Sequence, residues 1–142
     1  MPLKKHANKL ILMIGNNVLL DTNIISAWLK GESAIADKID NSAATYIPVI
    51  VAGELYYGAQ YSTNVQKNTS NILKVTARYS VLHVDENTAK FYGSIKAALR
   101  KKGKPIPEND IWIAAIAQQN ELTLITRDKH FSEIDNLNTE LW

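Results

Sequence analysis

Four carboxylates in this chain occupy places where a carboxylate is hard to explain as ordinary surface. Asp21 closes the apolar run Val18-Leu19-Leu20, and Asp128 follows the run Leu122-Thr123-Leu124-Ile125-Thr126. Continuous apolar runs of that length read as strands covered on both faces. An acid at the carboxyl end of such a strand lies on the edge where open α/β sheets carry their sites. Glu54 sits within Ile50-Val51-Ala52-Gly53 and Leu55-Tyr56-Tyr57, with no base within a helical turn. A buried, unpaired carboxylate is costly and has its pKa pushed upward. Asp110 opens the apolar segment Ile111 to Ala117. Each acid also has a plain account: Asp21 as a helix cap, Asp110 as a helix-dipole partner, Glu54 paired with a nearby Lys or Arg.

Brought together, the four acids imply one chemistry. Converging carboxylates repel strongly unless a multivalent cation lies among them. An all-oxygen ligand set selects Mg²⁺ or Mn²⁺, hard ions that also bind phosphate oxygens. Such an ion activates water and stabilises charge during in-line displacement at a phosphodiester. A metal-dependent nuclease is the expectation. Asp85 is instead explained as a helix cap, with Thr88 three residues on. Glu32, Asp37, Asp40, Glu133, Asp135 and Glu140 lie in polar surroundings and read as solvated surface.

The elements that must position these acids follow from pattern and punctuation. After the first strand comes a helix from Ile24 to Lys30, broken at Gly31, and a short helix over 33–41. A small strand at 45–47 leads through Pro48, suited to a helix start, into a helix over 49–62. The pattern then predicts a helix near 64–79, a strand at 81–84, and a helix over 86–102 with Gly103 as its C-cap. A Pro-rich loop precedes a helix over 108–120, then the strand at 122–126, a turn and a last short edge strand. Strands alternating with helices predict a parallel sheet covered on both faces, an α/β/α sandwich.

Bulk properties narrow the function classes. With 142 residues, the chain is long enough for one sizeable core, and sixteen Lys and Arg against fourteen Asp and Glu leave a charge of +2. The absence of cysteine excludes disulfides, thiolate zinc sites and a Cys nucleophile. His6, His83 and His130 show no metal-ligand spacing. Lys4, Lys5, His6 and Lys9 precede the short run Leu10 to Ile14. That run is too short for a secretory core and has no cleavage site after it. Nothing approaches a membrane span. Residues 1–15 are expected to be an extension, with Met13 a candidate internal start, and residues 16–142 a single domain of a cytoplasmic protein.

Four stretches closely resemble PIN-domain nucleases, and most of all the VapC-type toxins of bacterial type II toxin–antitoxin systems. They are Val-Leu-Leu-Asp21-Thr-Asn-Ile-Ile, Ile-Pro-Val-Ile-Val-Ala-Gly-Glu54-Leu-Tyr-Tyr-Gly-Ala, Ile-Pro-Glu-Asn-Asp110-Ile-Trp-Ile-Ala-Ala-Ile-Ala and Leu-Ile-Thr-Arg-Asp128-Lys-His-Phe. Each alone is weak; all four, in order from about residue 16 to Trp142, are specific. The resemblance implies Mg²⁺- or Mn²⁺-dependent endoribonuclease activity, homodimerisation, and a cognate antitoxin whose C-terminal segment occupies the active site. It implies that Asp21, Glu54, Asp110 and Asp128 hold metal and perform catalysis. It also implies that Thr22, Asn23 and Thr126 orient the carboxylates. The extension before residue 16 departs from the pattern. An RNA-processing nuclease outside a toxin–antitoxin pair is the alternative within the family.

Substrate grip and rival chemistries complete the expectations. Lys96, Arg100, Lys101, Lys102 and Lys104 crowd one helix end and could track an RNA backbone, although cations also belong at a helix C-terminus. Trp28, Tyr56 and Tyr57 could stack bases, or serve as core and dimer contacts. An aspartate-nucleophile phosphohydrolase would want an acid where Asn23 stands. A phospho-receiver module would want an acid pair after the first strand, and it gives Glu54 no role.

Overall fold

The computed structural model describes residues 17–142; the extension expected over 1–15, with Met13, lies outside the described residues. Five strands form one sheet: β1 (Asn17–Leu20), β2 (Ala44–Pro48), β3 (Ser80–Leu82), β4 (Thr123–Ile125) and β5 (Thr139–Glu140). Their order is β3-β2-β1-β4-β5, and every pairing is parallel. Helices α1 (Thr22–Leu29) and α2 (Ser33–Asp40) link β1 to β2. Helices α3 (Val49–Gln60) and α4 (Val65–Arg78) link β2 to β3, and α5 (Glu86–Lys102) and α6 (Glu108–Gln119) return the chain to β4.

The chain thus moves outward from β1 through β2 to β3, then jumps back across β1 to β4. With right-handed crossovers, that reversal carries α5 and α6 to the opposite face of the sheet from α1–α4. The result is the expected three-layer α/β sandwich. The reversal also leaves a crevice between the carboxyl ends of β1 and β4, the switch point where open sheets bind ligands. Leu19 pairs with Leu124 and Leu20 with Ile125, so the next residues on each strand face one another across that crevice.

Burial matches the apolar runs. Leu19, Leu20, Ile24, Ile25, Ile47, Ile113, Ile116, Leu124, Ile125 and Phe131 are all essentially inaccessible. Helix α6 is buried almost all round from Ile111 to Ala117. Helix α3 departs from expectation: Gly53, Tyr57, Gly58 and Gln60 face solvent, and Glu54 is half-buried rather than sunk in apolar surroundings. Tyr57, 66% exposed, leans on Tyr61 with ring centroids 5.0 Å apart. Trp28 packs against Tyr79 in the partly buried layer around the core.

Several local signals hold. Asp85 accepts the Thr88 amide proton at 2.9 Å while Thr88 Oγ1 accepts that of Asp85 at 3.0 Å, a reciprocal cap. Gly103 ends α5 with φ of 66°, a left-handed conformation that glycine adopts without penalty. The strands expected at 81–84 and 122–126 are shorter, at Ser80–Leu82 and Thr123–Ile125. No helix among the described residues is long and apolar enough to cross a membrane.

Candidate active site

Asp21 sits on the residue after β1 and caps α1, its Oδ1 accepting the Thr22 amide proton at 2.7 Å. Capping does not take Asp21 out of the cleft, which it also lines. Its other oxygen, Oδ2, accepts the Thr126 hydroxyl proton at 2.6 Å and is 3.4 Å from Asn23 Nδ2. Thr126 follows β4, so this bond spans the β1/β4 switch point. Asp21 is only 4% exposed. Burial raises its carboxyl above the ordinary aspartate range, and the bonds from Thr126 and Thr22 oppose that rise.

Glu54 reaches the same place from the second turn of α3. Its Oε2 accepts the Thr22 hydroxyl proton at 2.8 Å, and its Oε1 accepts from Asn109 Nδ2 at 3.3 Å. Among the described residues its partners are thus neutral donors from other elements, which is how the helix carries this acid half-buried with no ion pair among them. Thr22 and Asn109 come from 32 residues before and 55 residues after it.

Asp110, on the first turn of α6, behaves differently. Its side chain is 14% exposed, and nothing among the described residues donates a hydrogen bond to it. Burial, then the charges of Asp128, Asp21 and Glu54, push its carboxyl up to about 6, with His130 opposing. Asp128, after β4, caps a short 3₁₀ turn (Lys129–Glu133). Its Oδ1 accepts from the His130 amide at 2.9 Å and lies 2.9 Å from His130 Nδ1. Its own amide donates to Thr126 Oγ1 at 3.0 Å. Asn23 Oδ1 accepts the Arg127 amide proton at 3.2 Å, tying α1 to the strand-end loop that carries Asp128.

All four acids line one open cleft of about 520 Å³, together with Thr22, Asn23, Ser26, Lys30, Glu32 and Arg127. Every sequence-predicted acid is therefore in the cleft, and Thr22, Asn23 and Thr126 each bond a carboxylate or its loop. Two contributors had no sequence signal of their own. Asn109 is an unremarkable residue in a loop-to-helix junction, and His130 shows only its two-residue spacing from Asp128.

The donor chemistry suits a hard divalent cation. One ligand atom each of Asp110, Asp128 and His130 lies within 4.8 Å of the others. Behind burial, the charges of Asp128, Asp21 and Glu54 add to the rise of the Asp110 carboxyl, so the acids repel one another at this point. No thiol is available in the chain to favour a softer ion.

The basic cluster does not converge as the acids do. Lys96 donates to Glu108 Oε1 at 2.6 Å and to the Tyr92 hydroxyl at 3.1 Å. Lys102 donates to Asp135 Oδ1 at 2.8 Å and to the Glu133 carbonyl at 2.9 Å. Arg100, Lys101 and Lys104 are exposed and form no ion pair among the described residues.

An α/β sandwich with four carboxylates gathered at its switch point defines a class of acid-site domain, and comparison with known proteins says which. Residues 18–137 match the family model described as PIN domain. The chain belongs to the PIN domain family. It is 35% identical over 127 residues to Ribonuclease VapC2 of Haemophilus influenzae, covering 87% of this chain and 96% of that relative. It is 31% identical over 127 residues, with the same coverage, to the tRNA(fMet)-specific endonuclease VapC of Shigella flexneri. Among solved structures it resembles a chain of VapBC2 from Rickettsia felis bound to a promoter DNA fragment, with TM-score 0.82 and 30% identity. That match covers 89% of this chain and 98% of the other.

Proposed function

We propose that this chain is a Mg²⁺- or Mn²⁺-dependent endoribonuclease and the toxin of a VapBC-like toxin–antitoxin pair, acting in the cytoplasm. The observation that carries the reading is the convergence of Asp21, Glu54, Asp110 and Asp128 on one cleft, in a chain whose relatives are named ribonucleases. When bound, the cation supplies Lewis-acid stabilisation of phosphodiester charge and an acidified water. Asp110 and the second oxygen of Asp128 are the open ligands, with Asp21 and Glu54 completing the acid ring. Thr22, Asn23 and Thr126 hold those carboxylates in place, so little reorganisation is needed when substrate arrives. Arg100, Lys101 and Lys104 remain available to an RNA backbone, whereas Lys96 and Lys102 are occupied by Glu108 and Asp135.

The partner reading rests on a neighbouring groove. It is lined by Leu29, Leu55, Ala59 and Ile72, and shares Thr22, Ser26, Lys30 and Glu54 with the acid cleft. An amphipathic segment of an antitoxin could lay apolar side chains there and extend a basic residue to the acids. The chain is proposed to function as a homodimer.

Purified protein should cut RNA with Mg²⁺ or Mn²⁺ present, and EDTA should stop it. The Asp110→Asn variant, run side by side, should be inactive. Cutting that survives both EDTA and the substitution would assign the activity to another site or a contaminant.

A further inference from the structure

The cleft holds one carboxylate that the acid quartet does not use. Glu32, in the turn between α1 and α2, lines it with Asp21, Glu54, Asp110 and Asp128. Among the described residues, those five acids share the cleft with two cations, Lys30 and Arg127. Glu32 holds Arg127 by both ends of its fork: Nη1 donates to Oε1 at 3.1 Å and Nη2 to Oε2 at 2.5 Å. Arg127 Nε donates to the backbone oxygen of Trp142 at 2.8 Å. A planar guanidinium fork that fits a carboxylate in this way fits a phosphate equally well.

A purely structural role explains the pair poorly. The Arg127 and Glu32 side chains are 34% and 51% exposed, and exposed ion pairs contribute little to stability. The loop is anchored without it, because Asn23 Oδ1 accepts the Arg127 amide proton and the neighbouring Thr126 hydroxyl donates to Asp21. The pair does cancel the charge of one of the two cations in the cleft. A nucleic-acid backbone entering among five carboxylates needs that charge, since Lys and Arg contacts to phosphate supply most of its sequence-independent affinity.

We propose that Glu32 stands in for an RNA phosphate. It holds the Arg127 fork in the free protein and yields it to a phosphate next to the scissile bond when substrate binds. Arg127 is then a substrate-binding residue, and Glu32 a positioning residue that sets affinity by competing for it. Both partners already face solvent, so the exchange uncovers no buried charge. The inference rests on the nuclease reading of the cleft.

The test is a double-mutant cycle of Glu32→Gln and Arg127→Gln. Affinity for a fluorescein-labelled oligouridylate is read by anisotropy, with Ca²⁺ as the divalent ion. Arg127→Gln should weaken binding roughly 10-fold, the loss of a charge-assisted contact. It should also flatten the slope of log affinity against log salt by about 0.7, the share of one phosphate on a single strand. Glu32→Gln should tighten binding roughly 3-fold, the worth of an exposed pair no longer to be broken. In the double variant that gain should vanish, because no fork remains to be released. In cleavage assays both effects should fall on KM and not on kcat.

Equal tightening by Glu32→Gln with and without Arg127 would overturn the proposal, leaving only a less acidic cleft. Unchanged affinity and salt slope in Arg127→Gln would overturn it too, as would loss of the folded state in Glu32→Gln, which would make the pair a structural tie. Failure of the nuclease reading shows in wild type alone, as no RNA binding and no cleavage. Failure of the exchange shows in the cycle while wild type still binds and cuts.

Discussion

The two halves of the acid cleft are built on opposite principles. Asp21 and Glu54 each have both oxygens engaged by neutral donors: Thr22, Thr126 and Asn23 for one, Thr22 and Asn109 for the other. Asp110 has no donor among the described residues, and Asp128 has one oxygen engaged and one open. Hydrogen bonds to the ionised form oppose the effect of burial, although burial still leaves the Asp21 carboxyl above the ordinary range. The first half is therefore a preformed template. In the second half Asp110 lacks such donors among the described residues, and burial first, then the charges of Asp128, Asp21 and Glu54, push its carboxyl up to about 6. On the proposed metal-dependent reading, a divalent cation would draw its affinity from the open half and its geometry from the engaged half.

The substitution with the largest expected effect acts on the open half. Asp110→Asn should abolish cleavage while stabilising the metal-free protein at neutral pH. The sign follows from linkage. A carboxyl raised from 3.8 to about 6 favours the protonated folded state, so its cost is absent at low pH and grows as pH rises through that window. Replacing it with a neutral isostere should remove a penalty on the order of 2 kcal/mol at pH 7.5, read as a higher melting temperature without metal. An ordinary structural acid would show the reverse, losing stability on substitution.

Next in size is the engaged half. Thr126→Val keeps the shape but takes a donor from buried Asp21 and an acceptor from the Asp128 amide. A loss of about 1–3 kcal/mol in stability is expected from chemical denaturation, with a roughly 10–100-fold drop in cleavage. Thr22→Val should do less, because Glu54 is half-buried and keeps its bond from Asn109. If Thr22→Val proved the more damaging, the ranking of Asp21 over Glu54 as template would be wrong.

Acid should act through the open half first. Metal must displace the Asp110 proton, so Mn²⁺ affinity measured by calorimetry should be nearly flat above about pH 6 and fall as pH drops below it. Smallest of all, Lys96→Ala and Lys102→Ala should change cleavage less than Lys101→Ala at low salt. Both are held by exposed acidic partners rather than presented to a substrate.

What could be read in the sequence, and what could not, divides along the same line. The acids were legible because each breaks a pattern that burial imposes: a charge at the end of a buried strand, or at the head of an apolar helix. Glu54 stands out in the sequence on an expectation of deep burial, and α3 instead turns it, half-buried, toward the cleft. Asn109 and His130 were not legible as partners. Their contacts depend on where α6 and the 3₁₀ turn come to rest against α3 and β4, and no local periodicity encodes that. The basic run at the end of α5 shows the converse failure. Its residues are close in sequence, but Glu108 and Asp135, brought in by the fold, claim two of them.

Four carboxylates from separate elements are proposed to form one seat for a hard cation. Calorimetric titration of Mn²⁺ into metal-free wild type and into Asp110→Asn at neutral pH tests it most directly. Saturable binding in wild type, lost in the variant, is the predicted result. Equal binding in the two proteins, or none in wild type, would mean that the four acids do not form that seat.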